Sequence, residues 1–220
     1  EVKSSAAKTR LIPFEFSTTQ TYIMEFGNNY IRFYKDKGQI LSGGSAYEIA
    51  SPYATSELFD IKFAQSADVM YLCHPNHDVR KLSRSGHTSW TLATVSFTGS
   101  PSPAISGADN RPSCVSFFEQ RLVFANTNNN PQTLFFSKSG DYENMTTGTN
   151  ADDAMIYTIA SNQVNAIRFL KAQRTLIVGT TGGEFTVSAD GTDAAITPTN
   201  IAIKRQSSFG SAGVDAIPAG

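Results

Sequence analysis

One hairpin design recurs four times along this chain at a step near 50 residues, and that recurrence limits the fold more than any single residue does. The copies read TYIMEFGNNYIRFYKDKG, DVMYLCHPNHDVRKLSRSG, QRLVFANTNNNPQTLFFSKSG and RTLIVGTTGGEFTVSADG. Their closing glycines, Gly38, Gly86, Gly140 and Gly191, are 48, 54 and 51 residues apart. The aromatic lead-ins Phe16, Phe63, Phe117 and Phe169 keep the same step, at 47, 54 and 52. The clearest copy, at 115–140, has an aromatic strand, a polar pair at Glu119 and Gln120, an apolar strand, a turn at 128–131 and a return strand. Aromatic and β-branched residues suit a pleated surface while Asn, Gly and Pro suit tight turns, so each copy reads as an antiparallel meander. A four-stranded sheet cannot bury both faces alone, and stacking its neighbours against it solves the problem.

The predicted fold is therefore all-β and β-propeller-like, with about four antiparallel blades of roughly 50 residues near 11–50, 61–97, 115–160 and 164–205. VDAIPAG, from Val214, echoes VNAIRFL, from Val164, 50 residues earlier (214 − 164), and reads as the start of a fifth repeat. On that reading the chain is a fragment of a longer protein and holds part of a larger propeller. The first repeat turns at 27–29, and its strand at 30–34 alternates, with Tyr30, Arg32 and Tyr34 on one face and Ile31 and Phe33 on the other. Its outer strand is expected at 46–50. A loop at 51–60 follows, with one helical turn at 56–59, and the loop at 98–113, rich in Gly, Pro and Ser, is the longest. Long loops on a rigid β scaffold are where contacts with partners are expected.

Composition excludes several classes. Hydrophobic residues at 40% with 15 Phe and 8 Tyr can fill an interior, and charged residues at 17% are too few for a disordered chain. A net charge of −1 gives no general attraction to nucleic acid or an anionic membrane. No apolar run approaches the roughly 18 residues needed to span a bilayer, and no signal peptide opens the sequence, so a soluble protein is expected. Cys73 and Cys114 lie in or beside apolar strands and read as two buried thiols of a reducing compartment, with a disulfide as the alternative.

Candidate chemistry is sparse. His74 and His77 in CHPNH, beside Cys73, have a metal-like spacing, but Pro75 and Asn76 mark a hairpin turn and no second ligand cluster is visible, so an exposed turn is expected rather than a metal site. Asp141, Glu143, Asp152 and Asp153 fit no EF-hand spacing and read as solvated acids. Arg80, Lys81 and Arg84 read as charges that keep an edge strand from aggregating. There is no nucleophile elbow, phosphate loop or dinucleotide fingerprint, so no catalytic, cofactor-binding or metal-binding residue is assigned and no enzyme is expected.

The corners SRSGHTSW at 83–90, SKSGDYEN at 137–144 and SADG at 188–191 resemble the Asp box of sialidase-type propellers. Ser85 and Ser139 stand where that motif has Asp, and the Gly comes one position early. Such a corner supports the fold and says little about activity.

Taken together, RLIPFEFS at 10–17, EFGNNYIRFYKDKGQI at 25–40, YEIASPY at 47–53, FAQSADVMYLCHP at 63–75, RKLSRSGHTSWTL at 80–92, FFEQRLVFANTNNNPQTLFFSKSGDYENM at 117–145, TIASNQVNAIRFL at 158–170 and LIVGTTGGEFTVS at 176–188 resemble the tail nozzle or hub proteins of short-tailed bacteriophages, the group of tail tubular protein B and the tail stabilisation proteins. The resemblance implies a virion structural component assembled in the host cytoplasm. It implies a ring, usually a hexamer, that continues the genome ejection channel, binds the adaptor and carries fibres or spikes, with DNA present only in passage. Two alternatives stand beside it: a carbohydrate-binding or carbohydrate-active propeller, and a monomeric propeller that binds protein.

Overall fold

The computed structural model describes residues 2–17, 20–160, 163–191, 194–214 and 216–217. Every helix or strand among them is a strand. The first sheet holds β1 (Arg10–Ser17), β2 (Gln20–Gly27), β3 (Tyr30–Lys35) and β4 (Gly38–Gln39), with β5 (Leu41–Ser42) and β6 (Ser45–Ala46) as a separate small hairpin and β7 (Glu48–Ala50) paired back onto β3. The second is a meander of β8 (Lys62–Ser66), β9 (Val69–His74), β10 (His77–Gly86) and β11 (Ser89–Thr94). The third runs β12 (Cys114–Phe118), β13 (Arg121–Ala125), β14 (Thr133–Phe136) and β15 (Met155–Thr158). The fourth runs β16 (Ile167–Ala172), β17 (Leu176–Thr180), β18 (Gly183–Ala189) and β19 (Ile201–Ser207), and all the pairings in these sheets are antiparallel.

The chain divides into two compact units, Glu1–Thr94 and Val95–Gly220. In the first, the alternation of β1 puts Ile12 and Phe14 inside and Leu11 and Pro13 outside. Tyr22, Met24, Phe26, Ile31 and Phe33 join them, and the second sheet contributes Met70, Leu72, Leu82 and Trp90. Trp90 is the centre of this core. Its ring stacks on Phe33 at 4.4 Å and meets Phe14 edge-on at 4.8 Å and Tyr22 at 5.2 Å. In the second unit β13 and β14 are buried along their whole length, as strands covered on both faces must be. Val123, Ala125, Leu134 and Phe136 share a core with Ile167, Val178, Phe185 and Val187. Phe124 faces the other way, edge-on to Phe97 at 5.4 Å.

Both units stack their sheets in the same order. In the first, Gln65 of β8 exchanges hydrogen bonds with the Glu15 backbone of β1, at 3.1 and 2.8 Å. At the far end the Trp90 N–H of β11 donates to Tyr47 Oη, just before β7, at 3.0 Å. In the second, Cys114 Sγ of β12 reaches the Ile167 carbonyl of β16 at 3.8 Å. Tyr157 Oη of β15 donates to the Pro198 carbonyl, before β19, at 2.5 Å. First strand lies by first strand and last by last.

Several expectations change. The strand carrying Arg80, Lys81 and Arg84 is not at an edge, because β10 pairs with both β9 and β11. Arg84 is partnered: it sits over the Phe16 ring at 4.2 Å and pairs with Asp68 at 3.3 Å. The helical turn at 56–59 is instead two consecutive turns, Glu57 N to Ala54 O and Asp60 N to Glu57 O. Both cysteines are buried thiols, not joined in a disulfide. Val214, Ala216 and Ile217 carry no strand, and the rest of the fifth repeat, Asp215 and 218–220, lies outside the described residues.

The polar pair Glu119 and Gln120 joins β12 to β13 with φ of 45° and 59°. Positive φ at both central residues is the hairpin turn whose twist matches its strands, although Asn and Gly adopt it more easily. The strained positions are used: Glu119 Oε2 accepts the Ile196 N–H at 2.6 Å, and the Gln120 carbonyl accepts that of Gly140 at 2.8 Å.

Candidate functional site

The loop at 51–60 is strapped over the β2–β3 turn rather than left free. Asn29, with φ of 63°, donates its N–H to the Tyr53 carbonyl and accepts that of Ser51. Tyr53, Leu58 and Ile61 are fully buried, and Arg10 Nη1 donates to the Leu58 and Ile61 carbonyls at 2.8 and 2.6 Å. The outward side chain is Phe59, 62% exposed. Such a loop is rigid enough to present a contact.

Its inner side meets the β9–β10 turn. Glu57 Oε2 lies 2.9 Å from His77 Nε2 and 2.9 Å from the Ala54 N–H, while Glu57 Oε1 accepts from Asn76 Nδ2 at 3.0 Å. Burial pushes the Glu57 carboxyl up, but the bonds from His77, Ala54 and Asn76 outweigh it and hold it at about 2. His74, expected in an exposed turn, is 1% exposed: the Tyr53 ring, at 5.9 Å, and the loop behind it cover the imidazole. Burial lowers its pKa and so favours a neutral ring, opposed by the Glu57 charge. One ligand atom each from Glu57, His74 and His77 lie within 4.8 Å of one another. Two imidazoles and a carboxylate are a donor set suited to zinc-type ions. Spacing within CHPNH could not reveal it, because the third member comes from a loop 17 residues before His74 (74 − 57).

In the second unit the loop at 98–113 is also tied down. Thr98 exchanges backbone hydrogen bonds with Glu143 and Met145, and Ile105 is buried. The Asn run explains itself here: Asn129 N donates to the Asp109 carbonyl, Asn128 Nδ2 to Asp109 Oδ1 and Asn129 Nδ2 to Asn110 Oδ1. The acids expected to be solvated brace the insertion beside it. Lys138 Nζ lies 3.1 Å from both Asp152 and Asp153, Asp153 Oδ2 accepts the Asn150 N–H, and Asp141 accepts from Asn144 Nδ2. The corner Ser137 is buried and accepts the Leu122 N–H, a bond that shapes the fold.

Sequence reasoning missed Arg121, which opens an apolar strand and is 1% exposed. Its guanidinium donates to the carbonyls of Ser137, Asp153, Asp152 and Ala151 at 2.8, 2.7, 3.3 and 2.6 Å. A cleft of about 460 Å³ near the β16–β17 turn is lined by Glu119, Arg174, Thr175 and Ser188. Glycoside hydrolysis uses two carboxylates. Among the described residues lining this cleft Glu119 is the one acid, and it already accepts the Ile196 N–H. No family model matches the chain, and no curated protein matches it.

Proposed function

We propose that this chain is a noncatalytic, propeller-type part of the tail nozzle or hub of a short-tailed bacteriophage. It works as one subunit of a closed ring, a hexamer, that continues the genome ejection channel and holds the adaptor and the fibres or spikes. The observation that carries the reading is the stacking order: within each unit the two consecutive meanders lie first strand by first strand and last by last, as neighbouring blades do. The sequence resemblance supplies the family. A net charge of −1 suits a conduit, since many Lys and Arg on phosphates would retain the DNA that must pass. The strapped loop at 51–60, with Phe59 outermost, is the contact surface between neighbours or to a fibre, in a heterologous interface closed by rotation. Mass photometry of the purified protein tests this. Closed oligomers of about six subunits, the ring order this reading assigns, are expected, and single subunits at micromolar concentration, or sugar released from glycans, contradict it.

A further inference from the structure

We propose that Glu57, His74 and His77 form a binding site for a divalent ion of the zinc class, the loop at 51–60 giving the carboxylate and the β9–β10 turn the two imidazoles. The three ligand atoms already lie within 4.8 Å of one another. Zinc holds imidazole nitrogen and carboxylate oxygen at about 2.0–2.2 Å, so two ligand atoms at a tetrahedral angle sit roughly 3.4 Å apart. The 2.9 Å contact of His77 Nε2 and Glu57 Oε2 therefore opens by a few tenths of an ångström as the ion enters, and His74 closes in. The carboxylate is held ready by the Ala54 N–H and the Asn76 amide, the kind of outer contact that orients metal ligands.

A second observation points the same way. His74 Nε2 is buried with no hydrogen-bond partner, an arrangement that proteins avoid. The Asn76 N–H donates to His74 Nδ1 at 3.1 Å, which places the ring proton on Nε2. For Nε2 to ligate, that proton moves to Nδ1 and the Asn76 bond is released, so the turn at Pro75 and Asn76 adjusts on binding. Three protein ligands leave a fourth position open. The half-exposed Glu57 and His77 let water reach it. The donor set does not suit calcium or magnesium, which take six or more oxygens or a hydrated octahedral shell. Bound, the ion clips the loop to the turn and stabilises the first unit by mass action.

The test uses the untagged protein, stripped with chelator, in calorimetric and thermal titrations with zinc and with magnesium. One zinc per chain, a melting temperature that rises with zinc and not with magnesium, and a shift of the Asn76 amide resonance are expected. His77→Gln and Glu57→Gln, both at half-exposed positions, should weaken zinc binding by on the order of 100-fold, at or beyond the loss seen for outer contacts alone. Absence of saturable zinc binding overturns the site. So does undiminished binding in His77→Gln whose metal-free melting curve matches that of the unsubstituted protein.

Discussion

The two units bury opposite charges, and the contrast shows where this molecule can respond to its surroundings. The first buries the Glu25 carboxylate with no exposed surface, held by Tyr30 Oη and Tyr34 Oη at 2.5 Å each and by the Lys3 N–H at 3.0 Å. The second buries the Arg121 guanidinium among backbone carbonyls. A guanidinium keeps its proton at any working pH, whereas a carboxylate, and the imidazole of His74 in the same unit, can change state. Glu57, His74 and His77 gather at the loop at 51–60, while the loop at 98–113 is tied to the Asn run through Asp109 and Asn110.

Removing Arg121 should have the largest effect. Arg121→Met strands several buried carbonyls and is expected to cost about 3–5 kcal/mol, read by hydrogen exchange at the β13 and β14 amides. A loss below about 1 kcal/mol would mean that water replaces the guanidinium at no cost. Leu58→Ala opens a cavity under the first loop and should cost about 3 kcal/mol, read by fluorescence of Trp90, the only tryptophan, which lies in that unit's core. Ile105→Ala, under the second loop, should cost about 2 kcal/mol. Deleting the second loop removes that anchor as well.

Acid gives the next contrast. Burial raises the Glu25 pKa, but the hydrogen bonds from Tyr30 and Tyr34 and the Lys3 N–H outweigh it and leave the carboxyl below its ordinary value of 4.5. A depressed carboxyl stabilises the fold above 4.5 and loses that contribution as pH falls below it. The Trp90 unfolding midpoint should therefore drop below pH 4.5, and Glu25→Gln should flatten the drop while lowering stability at neutral pH. An equal slope in both proteins would remove Glu25 from the account. The smallest effect is Asn129→Ala, about 0.5–1 kcal/mol for an exposed hydrogen bond, seen as faster exchange in the second loop.

Strands and hairpins were legible because their signals are local: period-two burial in β1 and β18, and Asn, Gly or Pro at the turns. Ile31 and Phe33 point inward and Tyr30 and Tyr34 share a face at Glu25, as the alternation of β3 predicts. The edge assignment of β10 failed because edge status depends on the order of strands in a sheet, which composition does not encode. Arg121 escaped notice because its partners are backbone carbonyls, which every residue carries. Glu57 escaped because a loop, not a spacing, brings it to His74 and His77.

The proposed ring, built from meanders that stack in pairs within each unit, is tested most directly by electron cryomicroscopy of the assembled protein. A closed ring with a central hole is expected, each subunit placing its meanders side by side with like strands adjacent. Separate single subunits, or meanders docked last strand to first, would contradict it.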